Sequence, residues 1–268
     1  MARETRTAQL LSKTCISESA QCFHLVFEIE GIESFDFEPG QFISTVATDG
    51  NGKSQTRAYS IASAANGNRF DLCVNRVEGG FFSNHLADLV DLPTGGTVQV
   101  HGPYGAFTLR SPLTDSIFVA TGTGVAPMRS FTQWLFPEDE AGESTGIDRS
   151  GGKDIWLVYG TRHESELYYQ DYFERIAARY SNFHYICTLS RAREDWNGLR
   201  GYVQQFVGEI EEQRRGGVFV AGGTSNADLP AFGIHAYICG LNNMVSAVRA
   251  LLTERGWHKK QIVFERYD

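Results

Sequence analysis

Short runs rich in β-branched and aromatic residues, separated by polar breaks, fill the first hundred positions: HLVFEIE, QFISTVAT, RAYSIAS, RFDLCVNRV and TVQVHGP. Breaks such as TDGNGK and AANGN carry the Gly, Asn and Asp that turns require. Many short strands with turn signals predict an antiparallel barrel or sandwich. One segment interrupts them, FFSNHLADLV, whose apolar residues fall at helical spacing.

Near residue 111 the texture changes. SIFVATGTG is an apolar strand running into glycines, FTQWLF a short helix pattern, DIWLVYG a second strand and SELYYQDYFERIAARY an amphipathic helix. HYICTLS, VQQFVGEIEEQ, AYICG, MVSAVRALLTERG and QIVFERY continue the alternation. Alternating strands and helices imply a parallel sheet covered on both faces, with ligands at the carboxyl ends of its strands. The expectation is two domains, 1–111 and 112–268, joined around Leu109 to Leu113. Two polar, glycine-rich stretches, 138–152 and 221–233, read as surface excursions.

Composition narrows the function. Of 268 residues 42% are hydrophobic, enough for two real cores. The net charge of −8, from 24 basic and 32 acidic residues, argues against a nucleic-acid binder. The five cysteines, Cys15, Cys22, Cys73, Cys187 and Cys239, form no CxxC pair, so a zinc or iron–sulfur site is not expected. Scattered thiols suit a reducing compartment, and no run approaches a membrane span; the expected location is cytoplasmic.

Five motifs carry chemistry. In RAYSIAS, Arg57 and Tyr59 share one face of an extended segment, which makes either a surface pair or an anion clamp beside an aromatic platform. In VATGTGVAPMRS, Gly122 and Gly124 follow a strand and a helix starts at Pro127; free N–H groups there suit a pyrophosphate, although a plain strand-to-helix turn has the same spacing. In VEGGFFSNHLADL, Ser83 is either an anion ligand or a helix cap. In AYICGLNN and FERYD, Cys239 is either a buried hydrophobe or a thiol at the sheet's carboxyl edge, and Tyr267 either a cover for a flat ligand or a frayed end, the bland reading being the better one for each taken alone.

Their order along the chain decides between these readings. RAYS, GGFFS, HGPYGAF, GTGVAP, YGTRHESELYY and YICG with a terminal aromatic resemble, in sequence, the motifs of the ferredoxin–NADP reductase superfamily, over nearly the whole chain. The resemblance implies a six-stranded antiparallel FAD barrel followed by a doubly wound α/β NAD(P) domain. It implies that Arg57 pairs with the flavin pyrophosphate, Tyr59 stacks on the ring and Ser60 faces the hydride-accepting nitrogen. It extends the flavin contacts to Ala58, to Cys73, Val74 and Asn75, and to Gly79, Gly80, Phe81, Phe82 and Ser83. FAD is favoured over FMN by the GxxS segment.

The dinucleotide would lie on Thr123, Gly124 and Pro127, and its nicotinamide near Cys239, Gly240 and Leu241. Tyr267 would cover the flavin face, with Glu265 beside it, so that Ser60, Cys239, Glu265 and Tyr267 form the catalytic set. Asp268 follows that aromatic, whereas several relatives end on it. Arg162, Ser190, Arg191 and Tyr202 resemble the site for a 2′-phosphate and adenine, which favours NADPH. DWNGLRGYVQ resembles NADH-using oxygenase reductases too, so NADH stays open. The expected activity is reduction of FAD by NADPH and release of single electrons to a ferredoxin, a flavodoxin or another redox protein. The alternatives are an NADH-dependent oxygenase component and a noncatalytic electron-transfer subunit. Docking an acidic carrier would need local cations, for which Arg3, Arg6, Arg69 and Arg76 are candidates.

Overall fold

In a computed structural model, residues 4–89, 96–139, 141–214 and 233–267 are described. The chain divides into two compact units, Met1–Leu109 with Val125–Arg149, and Arg110–Gly124 with Ser150–Asp268.

The first unit is a six-stranded antiparallel sheet of β1 (Arg6–Ser17), β2 (Cys22–Ile29), β3 (Phe42–Thr48), β4 (Ser54–Ser60), β5 (Arg69–Asn75) and β6 (Thr97–Tyr104). The strands lie in the order β4-β3-β6-β1-β2-β5. The two outer strands meet: Ile61 bridges Leu72, and the Ala62 N–H donates to the Asp71 carbonyl at 2.8 Å. That seam closes the sheet into a barrel and removes its open edges. Alternate residues Leu25, Phe27 and Ile29 of β2 fill the interior with Phe70 and Leu72, and Phe27 stacks on Phe70 at 5.3 Å.

β1 was not legible as a strand. Its 12 residues bury only Ala8 and Ser17, and its pairing with β2 shifts register at Leu10/Ser12 and again at Cys15/Ser17. Each bulge reverses the faces, so no period of two survives in RTAQLLSKTCIS. Helix α1 (Phe81–Ala87) follows β5. The helix expected from Pro127 begins earlier, as α2 (Val125–Leu135), with Pro127 in its first turn. α2 belongs to the barrel unit, where Phe131 packs on Phe107 at 5.5 Å. Gly40, at φ +91°, leaves the space: a Cβ there would lie 2.6 Å from Cε1 of Phe131.

The second unit is an all-parallel sheet of β7 (Asp115–Thr121), β8 (Ile155–Thr161), β9 (Phe183–Leu189), β10 (Leu199–Arg200), β11 (Ile234–Leu241) and β12 (Ile262–Tyr267), in the order β10-β9-β8-β7-β11-β12. The order reverses at β7, so β7 and β11 flank the switch-point crevice. Helices α4 (Val203–Arg214) and α5 (Asn242–Glu254) bury one face of the sheet through Val207, Ile210, Val248 and Leu252. α3 (Gln170–Arg179) covers the other, with Phe173 stacked on Tyr185 at 5.5 Å. SELYYQDYFERIAARY is not one helix. Tyr169 sits at φ +60° and separates a short turn, Glu164–Glu166, from α3. The stretch 138–152 holds no strand or helix among its described residues, while 221–232 lies outside them. No described helix is long and apolar enough to cross a membrane.

Candidate active site

In the barrel unit, β4 sets out RAYS with graded burial: Arg57 and Ala58 are exposed, Tyr59 is half-buried and Ser60 is buried. Tyr59 rests on the barrel core, and this burial raises its phenol to about 12, so it stays neutral. No ion pair engages Arg57 among the described residues, which leaves a planar cation beside an aromatic face. On β5, Val74 is in the barrel core, Cys73 is buried on the opposite strand face with its sulfur 3.7 Å from that of Cys22, and Asn75 is half-buried.

The turn from β5 into α1 is built from its own side chains. Arg76 forks onto Asp88, with Nη1 at 3.2 Å from Oδ2, and also donates to Oδ1 of Asn84 at 3.2 Å. Asn84 in turn donates to the carbonyls of Val77 and Gly80. The Ser83 hydroxyl accepts from the Val77 N–H at 3.0 Å and provides no cap; Gly80 is the cap residue. Gly79 lies at φ +68°, and a Cβ on Gly80 would meet Ser83 Oγ at 2.7 Å. The two glycines let the turn close on itself, with the Gly80 N–H donating to the Val77 carbonyl at 2.9 Å. Sequence reasoning had not given Asn84 and Asp88 a role; their i, i+4 spacing on one helix face was the available signal.

In the second unit the GTG and YICG motifs interlock at the switch point. Gly122–Gly124 forms a single tight turn after β7, with Gly122 at φ +53°. A Cβ on Gly124 would fall 2.7 Å from the carbonyl carbon of Cys239, and one on Gly240 would clash with Thr121 Oγ1. Thr121 Oγ1 is buried without a hydrogen-bond partner among the described residues, an orphan at the mouth of the turn. Cys239, fully buried on β11, pairs in register with Glu265 of β12, and Leu241 with Tyr267. Burial, and then the Glu265 carboxylate, push the Cys239 thiol well up, against a hydrogen bond from Tyr267. This thiol is a neutral packing group. Tyr267 is the last residue of β12, paired in register rather than frayed; Asp268 lies outside the described residues.

Beyond β8 and β9, Arg162 and Arg191 are exposed on adjacent loops tied by a 3.0 Å bond from the Arg191 N–H to the Arg162 carbonyl. Ser190 donates to the Thr161 carbonyl at 3.3 Å. A cleft of about 470 Å³ opens there, lined by Arg191 with His163, Arg193 and Trp196. His163 and Arg193 were not expected. Arg200 donates to the carbonyls of Ala192, Arg193, Glu194 and Trp196 and holds that loop. Tyr202 is not in this cleft; it is exposed and lines a separate one with Gln205, Leu251 and Arg255.

Residues 7–109 match the oxidoreductase FAD-binding domain family and residues 118–250 the oxidoreductase NAD-binding domain family. The chain is 39% identical over 248 residues to ferredoxin–NADP reductase B of Sorangium cellulosum, covering 91% of each. The chain belongs to the ferredoxin–NADP reductase superfamily. It is also 28% identical to a 2-halobenzoate 1,2-dioxygenase electron transfer component of Burkholderia cepacia, over 99% of this chain and 68% of that protein. The fold matches a ferredoxin NADP+ reductase from Neisseria gonorrhoeae with bound FAD and NADP, at TM-score 0.72 and 19% identity over 99% of both chains.

As a member of this superfamily the chain is an oxidoreductase that uses FAD and NAD(P)H. The donor set fits both: for the flavin pyrophosphate, an exposed guanidinium without an ion pair among the described residues; for the dinucleotide, a hydroxyl without a hydrogen-bond partner among them and a close-packed glycine turn. Of the cations considered for docking, Arg6 pairs with Glu4 at 2.8 Å, Arg69 with Glu28 at 3.5 Å and Arg76 with Asp88, so each carries its own counter-charge; Arg3 lies outside the described residues.

Proposed function

We propose that this reductase takes electrons from NADPH and passes them to a separate ferredoxin or flavodoxin. The observation that carries the choice of NADPH is the Arg162–Ser190–Arg191 cluster. Neither arginine is ion-paired among the described residues; Arg191 lines a cleft with His163, Glu164 and Arg193, and Arg162 is exposed on the loop bonded to it. A dianionic 2′-phosphate matches forked guanidinium donors. The separate carrier is supported by the likeness to ferredoxin–NADP reductase B, 91% of whose length this chain covers.

Bound FAD supplies a two-electron acceptor that can discharge one electron at a time. Arg57 would hold its pyrophosphate beside the Gly79–Gly80 turn, while Tyr59 and Ser60 would orient the ring. Gly122 to Pro127 would seat the dinucleotide pyrophosphate. Cys239, neutral and buried, would form the packed floor under the nicotinamide, with Glu265 and Tyr267 fixed beside it by the β11–β12 register. Residues 1–111 are the flavin part in this reading, and 112–268 the dinucleotide part.

Anaerobic reduction of the purified protein by NADPH and by NADH tests the proposal. Arg191→Ala should lower kcat/KM for NADPH by about 10- to 100-fold, the worth of charge-assisted hydrogen bonds, and leave NADH unchanged. Equal losses with both donors would make the cluster structural and favour an NADH-dependent oxygenase component.

A further inference from the structure

Helix α2 reaches one short piece of chain with three consecutive hydrogen bonds. Ala62, Ser63 and Ala64 follow closely after Ser60. Arg129 Nη1 donates to the Ala62 carbonyl at 2.6 Å, the Ser130 hydroxyl donates to the Ser63 carbonyl at 2.6 Å, and the Gln133 side-chain carbonyl accepts from the Ala64 N–H at 3.0 Å. The same Arg129 Nη1 donates to Asp71 Oδ2 at 2.9 Å, on β5 two residues before Cys73. The Asp71 N–H donates to the Ser63 hydroxyl at 3.0 Å. Both charged side chains are largely buried, 13% and 15% exposed, so the pair is weakly screened. This is the barrel seam, where β4 and β5 meet through the Ile61–Leu72 bridge.

We propose that Arg129 is a positioning residue for flavin binding: bonded at once to Ala62 and Asp71, it clamps the two segments that carry residues 57–60 and 73–75. The inference rests on the flavin reading of those segments. The clamp comes from the helix that begins at Val125, the residue after Gly124 of the dinucleotide turn. One guanidinium nitrogen with two hydrogens spans the seam. A lysine ammonium retains the charge and several donors, whereas a glutamine retains a donor for Ala62 but leaves the Asp71 carboxylate buried without its cation.

The test compares wild type, Arg129→Lys, Arg129→Gln and Ser130→Ala, with Ile29→Ala as a barrel-core control chosen for a similar fall in melting temperature. FAD affinity is titrated on flavin-stripped protein, and amide exchange is followed across 57–64 and 71–75 before FAD is added. Arg129→Gln should weaken FAD binding by about tenfold or more, Ser130→Ala by about threefold, and Arg129→Lys by less than about threefold. Exchange should quicken in the two segments and stay unchanged in β1. An Arg129→Gln protein that binds FAD no worse than the Ile29→Ala control overturns the proposal. Should Arg129→Gln not fold, Ser130→Ala decides, and unchanged FAD affinity in it overturns the clamp. A wild-type protein that takes up no FAD would instead sink the functional reading on which the inference stands.

Discussion

Gly122 and Gly124 are two residues apart in one turn, yet substitution by alanine should affect them through different physics. Gly122 sits at φ +53° with no atom within 4 Å of a built Cβ, so its alanine suffers only the left-handed backbone penalty, about 1 kcal/mol. At Gly124 the backbone is ordinary, but the Cβ would lie 2.7 Å from the Cys239 carbonyl carbon and 2.9 Å from Gly240 Cα, closer still to the Cys239 oxygen. Carbon contacts optimise at about 3.5–4.0 Å. The overlap approaches 1 Å against backbone atoms that no rotamer change can move, so β7 and β11 must separate where Ala120 and Cys239 are in register. That places Gly124→Ala at the upper end of overpacking, about 3 kcal/mol. In melting temperature this is about 6–12 °C for a domain of this size, against about 2–4 °C for Gly122→Ala. Differential scanning calorimetry reads both, and dinucleotide titration should show the larger loss for Gly124→Ala. If Gly124→Ala melts no lower than Gly122→Ala, the close packing of the two motifs is refuted.

His24 is buried beside Arg129 and Asp71, and burial, then the Arg129 charge, lower it from 6.5 to about 4. The unfolded chain therefore takes up a proton near 6.5 that the folded state refuses until about 4, so stability should fall as pH drops through that window; urea titrations of His24→Gln should show a flatter profile. Arg255 donates to Oε2 of the buried Glu211 at 2.9 Å, and Trp257 Nε1 to its Oε1 at 3.4 Å; Arg255→Ala removes the cation from that buried carboxylate and should cost about 3 kcal/mol in denaturant melts, whereas Glu211→Gln should cost less. Cys22, Cys73 and Cys239 are buried, and the Cys239 thiol is pushed well up, so a thiol reagent at pH 8 should label none of the three until denaturant is added.

What the sequence made legible was local. RAYS reads as a strand, and Gly122 marks a left-handed turn after the next apolar run; both show in a few adjacent letters because they are local backbone features. β1 escaped because two bulges scrambled its alternation, and the break at Tyr169 escaped because a tyrosine carries no signal for a left-handed backbone. The deeper omission concerns what holds the motifs to one another. Gly124 reads as loop flexibility, yet its lack of a side chain is needed by Cys239, 115 positions away on β11. Arg129 reads as one polar residue on a helix, yet it joins Ala62 to Asp71 across the barrel seam. Such residues obey no period and fill no short pattern, since their partners are set by how the strands and helices pack. Motif strings therefore locate the chemistry, while the residues that fix its geometry come into view only when the fold brings distant positions within bonding distance.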